Sequence, residues 1–144
     1  MPTNMNKGSW QHIEHDADIG VCGYGPDAAS AFEQAGLALT AIITGLDKVE
    51  AKHSYSVHCE APNLELLFTE WLNQIIYLMS TEKILFSQFQ VNINGNTLDA
   101  IIHGDAINQQ HHEPAVEIKG ATFTGLQVAQ RDDGSWQACT IVDV

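Results

Sequence analysis

Basic side chains are scarce: six Lys and Arg stand against eighteen Asp and Glu, a formal charge of −12 over 144 residues. Such a chain repels phosphate backbones and has no cationic stripe with which to displace their counterions, which argues against tight, direct binding of RNA or DNA. Cysteine is equally sparse. Cys22, Cys59 and Cys139 are odd in number, far apart and without a CxxC pair, so neither a disulfide framework nor a zinc knuckle is indicated, and all three are read as buried thiols. No run of eighteen apolar residues occurs, and residues 1–9 are polar with no apolar core segment, so neither membrane insertion nor secretion is expected and a cytoplasmic protein is. Also missing are a Walker loop, GxGxxG, a GxSxG elbow, HExxH and any internal repeat of solenoid length.

What is present suits one folded domain. The chain is 44% hydrophobic, and a domain of this length buries roughly two-thirds of the surface its unfolded chain exposes. We expect a short polar extension at 1–9 and a single domain over 10–144. Its acidic surface suits cations, basic protein patches or simply solubility.

Trp10 to Tyr24 mixes β-formers with short polar residues before Gly23, Gly25 and Pro26, which predicts strand, tight connection, strand. From Pro26, placed in a first helical turn, Ala28, Phe32, Ala35, Leu39 and Ile42 recur at alternating spacings of four and three until Gly45. Ser54 to Glu60 alternates as a strand, and Asn63 caps a second helix whose stripe is Leu64, Leu67, Phe68, Trp71, Ile75 and Leu78. Sheet dominates the rest: a hairpin through Asn94-Gly95-Asn96, a polar loop over 104–114, a strand over 116–128, and a return strand over 135–144 after Asp133-Gly134. Helices grouped among runs of strands without βαβ alternation predict an α+β domain, two amphipathic helices on a mainly antiparallel sheet.

Asp16 and Asp18, two apart in a regular strand, would point to one side and offer oxygens to a hard cation, although such pairs more often serve turns and caps. Asp143 adjoins the α-carboxylate of Val144 at a β-forming end. If the last strand pairs beside the first, Asp18 and Asp143 would meet across the ladder and share one Mg²⁺ or Ca²⁺. His111 and His112, beside Glu113 in a polar loop, read as solvent-exposed, and His12 and His15 as buried histidines bonded to backbone. Lys119 is the only basic residue between Lys83 and Arg131; a surface salt bridge worth under ~1 kcal/mol is the ordinary reading, and its isolation admits a specific role.

Four blocks in order then resemble the archease family over Trp10 to Val144: His15 to Gly20 (HDADIG), Leu66 to Met79, His112 to Leu126, and Thr140 to Val144 (TIVDV). The resemblance implies an accessory protein without catalysis of its own. Its partner would be an RtcB-type RNA ligase of tRNA splicing and RNA repair, which it would activate by promoting guanylylation and so repeated turnover. It also implies a divalent-metal site on Asp18 and Asp143, with Val144 contributing from the terminus, and a polar pair, Glu117 and Lys119, near that end. Two positions depart from the family pattern. Asp16 replaces the usual Thr of the H-T-A-D-I-G block, adding either a ligand or a charge, and Thr124 stands after Phe123 where a histidine is common.

The competing reading is a stand-alone metal-dependent phosphoester or nucleotide hydrolase, with Asp18 and Asp143 holding Mg²⁺ and a water. It requires metal-dependent turnover without a partner. A third reading, a scaffold whose aspartates only cap strands, requires that metal leave the melting temperature unchanged.

Overall fold

The computed structural model of the protein describes residues 8–144; the extension expected at 1–9 lies, up to residue 7, outside the described residues. The chain starts with a hairpin, β1 (Ser9–His15) and β2 (Asp18–Gly25), followed by helix α1 (Ala28–Ile43). The carboxylate of Asp27 accepts the Ser30 N–H at 2.8 Å and so caps α1. Pro26 therefore precedes the cap instead of lying in the first turn, where the sequence placed it. After β3 (His53–Glu60) comes α2 (Leu64–Glu82), capped as its sequence predicts by Asn63, whose Oδ1 accepts the Leu66 N–H at 2.9 Å. Lys83 ends α2 in a left-handed conformation, φ 54°, and turns the chain directly into the long hairpin β4 (Ile84–Asn94) and β5 (Thr97–Ala106). A one-turn helix α3 (Gln109–His112) and the strands β6 (Gly120–Ala121), β7 (Gln127–Gln130) and β8 (Trp136–Asp143) complete it.

The α+β class and the antiparallel pairing are as the sequence predicts, but the strands divide into two sheets. One has the order β1-β2-β8-β6, with β7 also on β8; the other is β3-β5-β4. Both helices contact strands of both sheets, so each helix is buried over more than one stripe. The Trp71 indole N–H donates to the Phe32 carbonyl at 3.0 Å, and the Phe32 and Phe68 rings lie 5.0 Å apart, tying α2 to α1. Each such fully buried large side chain contributes roughly 1.5–3 kcal/mol. Where a bulge at Ser87 shifts the β4–β5 register, the Thr40 hydroxyl of α1 donates to the Phe86 carbonyl at 2.6 Å.

One predicted strand is broken. Of 116–128, only Gly120–Ala121 and the start of β7 join the ladder. Between them the Leu126 N–H donates back to the Phe123 carbonyl at 3.2 Å, and Gly125 takes φ 64°. This tight turn redirects the chain along the same edge of β8, which an alternating pattern of side chains cannot reveal.

Candidate functional site

The β1–β2 hairpin turns at Asp16, whose φ of 53° is a left-handed conformation that aspartate tolerates better than most residues. The turn separates Asp16 from Asp18, so the two do not share a face of one regular strand, as the sequence reading supposed. Asp18 opens β2, half-buried and paired with His15.

The last pair of the β2–β8 ladder is Ile19↔Val142. One step further along these antiparallel strands Asp18 faces Asp143, the juxtaposition the sequence made conditional on this pairing. Directly opposed residues project to the same face. Val21, Thr140 and Val142 point into the core, so Asp18 and Asp143 belong to the opposite, outer face. Asp143 is exposed, while Val144 is half-buried with its side chain against the core. Lys119 is drawn in by its backbone, whose N–H donates to the Asp143 carbonyl at 2.8 Å, and Gly120 pairs with Asp143. Asn73 of α2 holds this strand in place: its Oδ1 accepts the Ala121 N–H at 3.0 Å. Nothing in the sequence pattern marked Asn73 for that task.

Glu117 is placed differently. It is exposed and lines a mostly apolar cleft of about 490 Å³ between the end of α2 and the 114–118 segment, together with Met79, Lys83, Leu85 and Ile107. The structure thus joins Asp18, Asp143 and Lys119 at one end of the sheet and sets Glu117 beside them, over the neighbouring cleft.

Chemically, two carboxylates on adjacent strands form an oxygen-only donor set, right for a hard divalent cation and wrong for a thiophilic metal. Among the described residues no group of three or more His, Cys, Asp and Glu is placed to hold a metal ion. Asp18 and Asp143 would therefore supply part of a coordination shell, leaving positions for water or a partner's oxygens.

The histidine and cysteine readings need correction. His112, expected in solvent, is completely buried. Its Nδ1 accepts the Asn108 N–H at 2.8 Å, and its carbonyl accepts from the Thr44 hydroxyl. The Asn108 side chain caps α3 and folds the polar loop inward around it. His12, expected to be buried, is exposed, although its Nε2 lies 2.7 Å from the Ala38 carbonyl. His15 is exposed too.

Cys22 and Cys139, expected as free thiols, face each other across the β2–β8 ladder and are joined in a disulfide. Spacing could not show this, because the residues are brought together only by strands at opposite ends of the chain. Cys59 is the buried free thiol expected of it, and burial pushes its pKa up to about 11.

A further cluster escaped the sequence reading. On the open face of the second sheet, His58 Nδ1 lies 2.7 Å from Asp99 and Nε2 2.8 Å from Glu60. The alternation of β3 puts His58 and Glu60 on one face; Asp99 joins them only through the β3–β5 register. These hydrogen bonds, Asp99 first and then Glu60, raise the imidazole above its usual range.

Residues 10–144 match the archease protein family. The chain is 34% identical over 139 residues to an archease of Pyrococcus abyssi, covering 94% of this chain and 98% of that protein. It is 30% identical over 149 residues to one of Methanosarcina mazei, covering both in full. The fold is similar to the solution structure of Methanobacterium thermoautotrophicum protein 1598, with a TM-score of 0.83 and 30% identity over 94% of this chain and 99% of that one.

Proposed function

The chain belongs to the archease family, and we propose on that basis that it is an accessory protein that activates an RtcB-type RNA ligase, promoting the ligase's guanylylation and hence its multiple turnover. The observation that supports this most is the opposition of Asp18 and Asp143 at the end of the β2–β8 ladder, with Lys119 bonded to the Asp143 backbone. Two carboxylate-bearing positions on adjacent strands and the backbone of Lys119 come together at one accessible end of a sheet, while the protein's net charge of −12 disfavours independent binding of the RNA. An acidic end of this kind approaches a cationic nucleotide pocket on a protein with electrostatic assistance.

Asp18 and Asp143, with Val144 next to them, are the residues that would hold Ca²⁺ or Mg²⁺. A bound divalent cation would neutralise the opposed carboxylates and offer positive charge to phosphate oxygens. The protein's own contribution is positional. The ladder sets the backbone positions from which the two carboxylates project, the Asn73 bond fixes β6, and the Lys119 N–H bond ties that residue's backbone to Asp143. Activation then consists in favouring the ligase conformation competent for guanylylation, through differential affinity for that conformation.

The test is multiple-turnover ligation by a purified RtcB-type ligase at limiting concentration, with GTP and a divalent metal, in the presence of this protein or its Asp18→Asn and Asp143→Asn variants. Stimulation by the wild type that falls at least tenfold in either variant is the expected result. An active ligase whose turnover the wild type leaves unchanged refutes the proposal.

A further inference from the structure

The outer face of the first sheet is organised in rows. At the tip lies the polar row His15, Asp18, Asp143 and Gly120. The next row back is Ile13↔Gly20↔Ile141, running across three strands. Behind it Cys22 and Cys139 stand opposed. Successive rows on one face are two residues apart, about 7 Å.

The middle row is apolar and close-packed without being covered. A Cβ built on Gly20 would lie 3.1 Å from Ile13 Cβ and 3.1 Å from Ile141 Cδ1, so both isoleucines lean together over the bare glycine backbone. Gly125 continues the row onto the 122–126 turn: a Cβ there would lie 3.8 Å from Ile141 Cγ1. Phe123 stands on that same turn and is 67% exposed, the most exposed large apolar side chain among the described residues; Ile13 is 46% exposed. The turn is rigid. Thr124 O accepts the Ile141 N–H at 3.1 Å, Thr122 N–H donates to Ile141 O at 3.0 Å, and the Thr140 hydroxyl donates to Thr122 O at 2.6 Å. Both α1 and α2 pack on the other side of the sheet. Apolar side chains fixed this firmly in a water-facing row, on a surface so strongly acidic, are characteristic of a protein-binding patch.

We infer that Ile13, Ile141 and Phe123 form a docking stripe for the partner protein, seating an apolar group of its surface about one strand repeat from the place where Asp18 and Asp143 meet a cationic group. The partner follows from charge complementarity and continuity. The stripe borders the acidic row, so its occupant must pair an apolar residue with a neighbouring positive charge, and nucleic acid offers only negative charge at that distance. The inference rests on the proposed function, and takes the ligase as occupant. It separates two tasks on one face: the stripe supplies affinity and the acidic pair supplies activation.

The test uses full-length protein with Ile13→Thr and Phe123→Ser combined, two exposed positions whose exchange leaves the core intact, as an unchanged melting curve would verify. Kd for the purified ligase is measured by calorimetry, and ligation is then measured at saturating concentrations of each protein. The expected result is a Kd raised by about tenfold or more with full stimulation at saturation, while Asp18→Asn shows the reverse, lost stimulation with a smaller change in Kd. A double variant that binds as tightly as the wild type overturns the stripe and leaves the proposed function standing. A wild type that does not bind the ligase at all overturns both. A wild-type dimer that the double variant abolishes also overturns the inference, assigning the stripe to a second copy of the chain.

Discussion

Two carboxylates held opposite each other on adjacent strands should destabilise the protein until something positive sits between them, and removing one should reverse sign with calcium. Directly opposed residues in an antiparallel ladder have Cβ atoms about 5 Å apart. At that separation two unit charges repel by roughly 0.8 kcal/mol in bulk water and about 3 kcal/mol at an effective dielectric constant of 20. Asp143 is exposed and Asp18 half-buried, which puts the value near the lower end, about 1 kcal/mol. For a domain of this size that is a shift of roughly 2–4 °C in melting temperature. Asp18→Asn should therefore melt about 2–4 °C higher than the wild type in chelator at low salt. With calcium at about one hundred times its Kd, the wild type gains about 2.7 kcal/mol, or roughly 5–10 °C, and the variant much less, so the order of stability inverts. Thermal unfolding followed by fluorescence, with EDTA and then over a calcium titration, reads both halves. An Asp18→Asn protein less stable than the wild type in chelator, or one that gains as much from calcium, would refute the reasoning.

Other expectations concern parts of the molecule away from the tip. A Cβ on Gly23 would overlap the Ala31 carbonyl oxygen and the Ala35 amide nitrogen, both backbone atoms of α1; Gly23→Ala should cost at least ~3 kcal/mol in urea unfolding, since neither neighbour can rotate away. The His58 imidazole, raised by its bonds to Asp99 and Glu60, should titrate by NMR above 6.5, and Asp99→Asn should bring it down. Because the folded pKa is the higher one, this cluster's contribution to stability is fully present below pH 6.5 and is lost as pH rises through the folded value. Unfolding without reductant should expose a single titratable thiol, Cys59, and with reductant three; in the native protein at pH 8 Cys59 should resist alkylation, its pKa being about 11.

How far the sequence carried depended on range. Local signals were sufficient for the helix stripes, for Asn63 as a cap and for the Asn94-Gly95-Asn96 hairpin, because each is decided within a few residues. The pairing of Asp18 with Asp143 was legible only as a condition, since strand order is set by the whole core and not by either strand. The same long range hid the Cys22–Cys139 bond and the arrival of Asp99 beside His58. Polarity misled at His112: an Asn-capped turn folded a hydrophilic loop inward, and the Asn108 N–H satisfies Nδ1 of the buried ring while the Thr44 hydroxyl satisfies its backbone carbonyl. Alternation misled over 116–128, where hydroxyl-bearing residues bonded to β8 through a turn.

The β2–β8 ladder also decides when this end of the sheet is complete. Its cysteines are separated by 117 residues, and closing a loop of that length costs several kcal/mol of chain entropy before any ladder bond forms. A nascent chain that has already made the β1–β2 hairpin and both helices still lacks Asp143 on the far side of Asp18 and Ile141 on the far side of Gly20, and β2 is left with a raw edge. Tip and stripe come into being together, when β8 seats between β2 and its other neighbours. A half-made or locally unfolded molecule thus has neither feature, and a complete end of the sheet serves as a built-in certificate that the far ends of the chain have met.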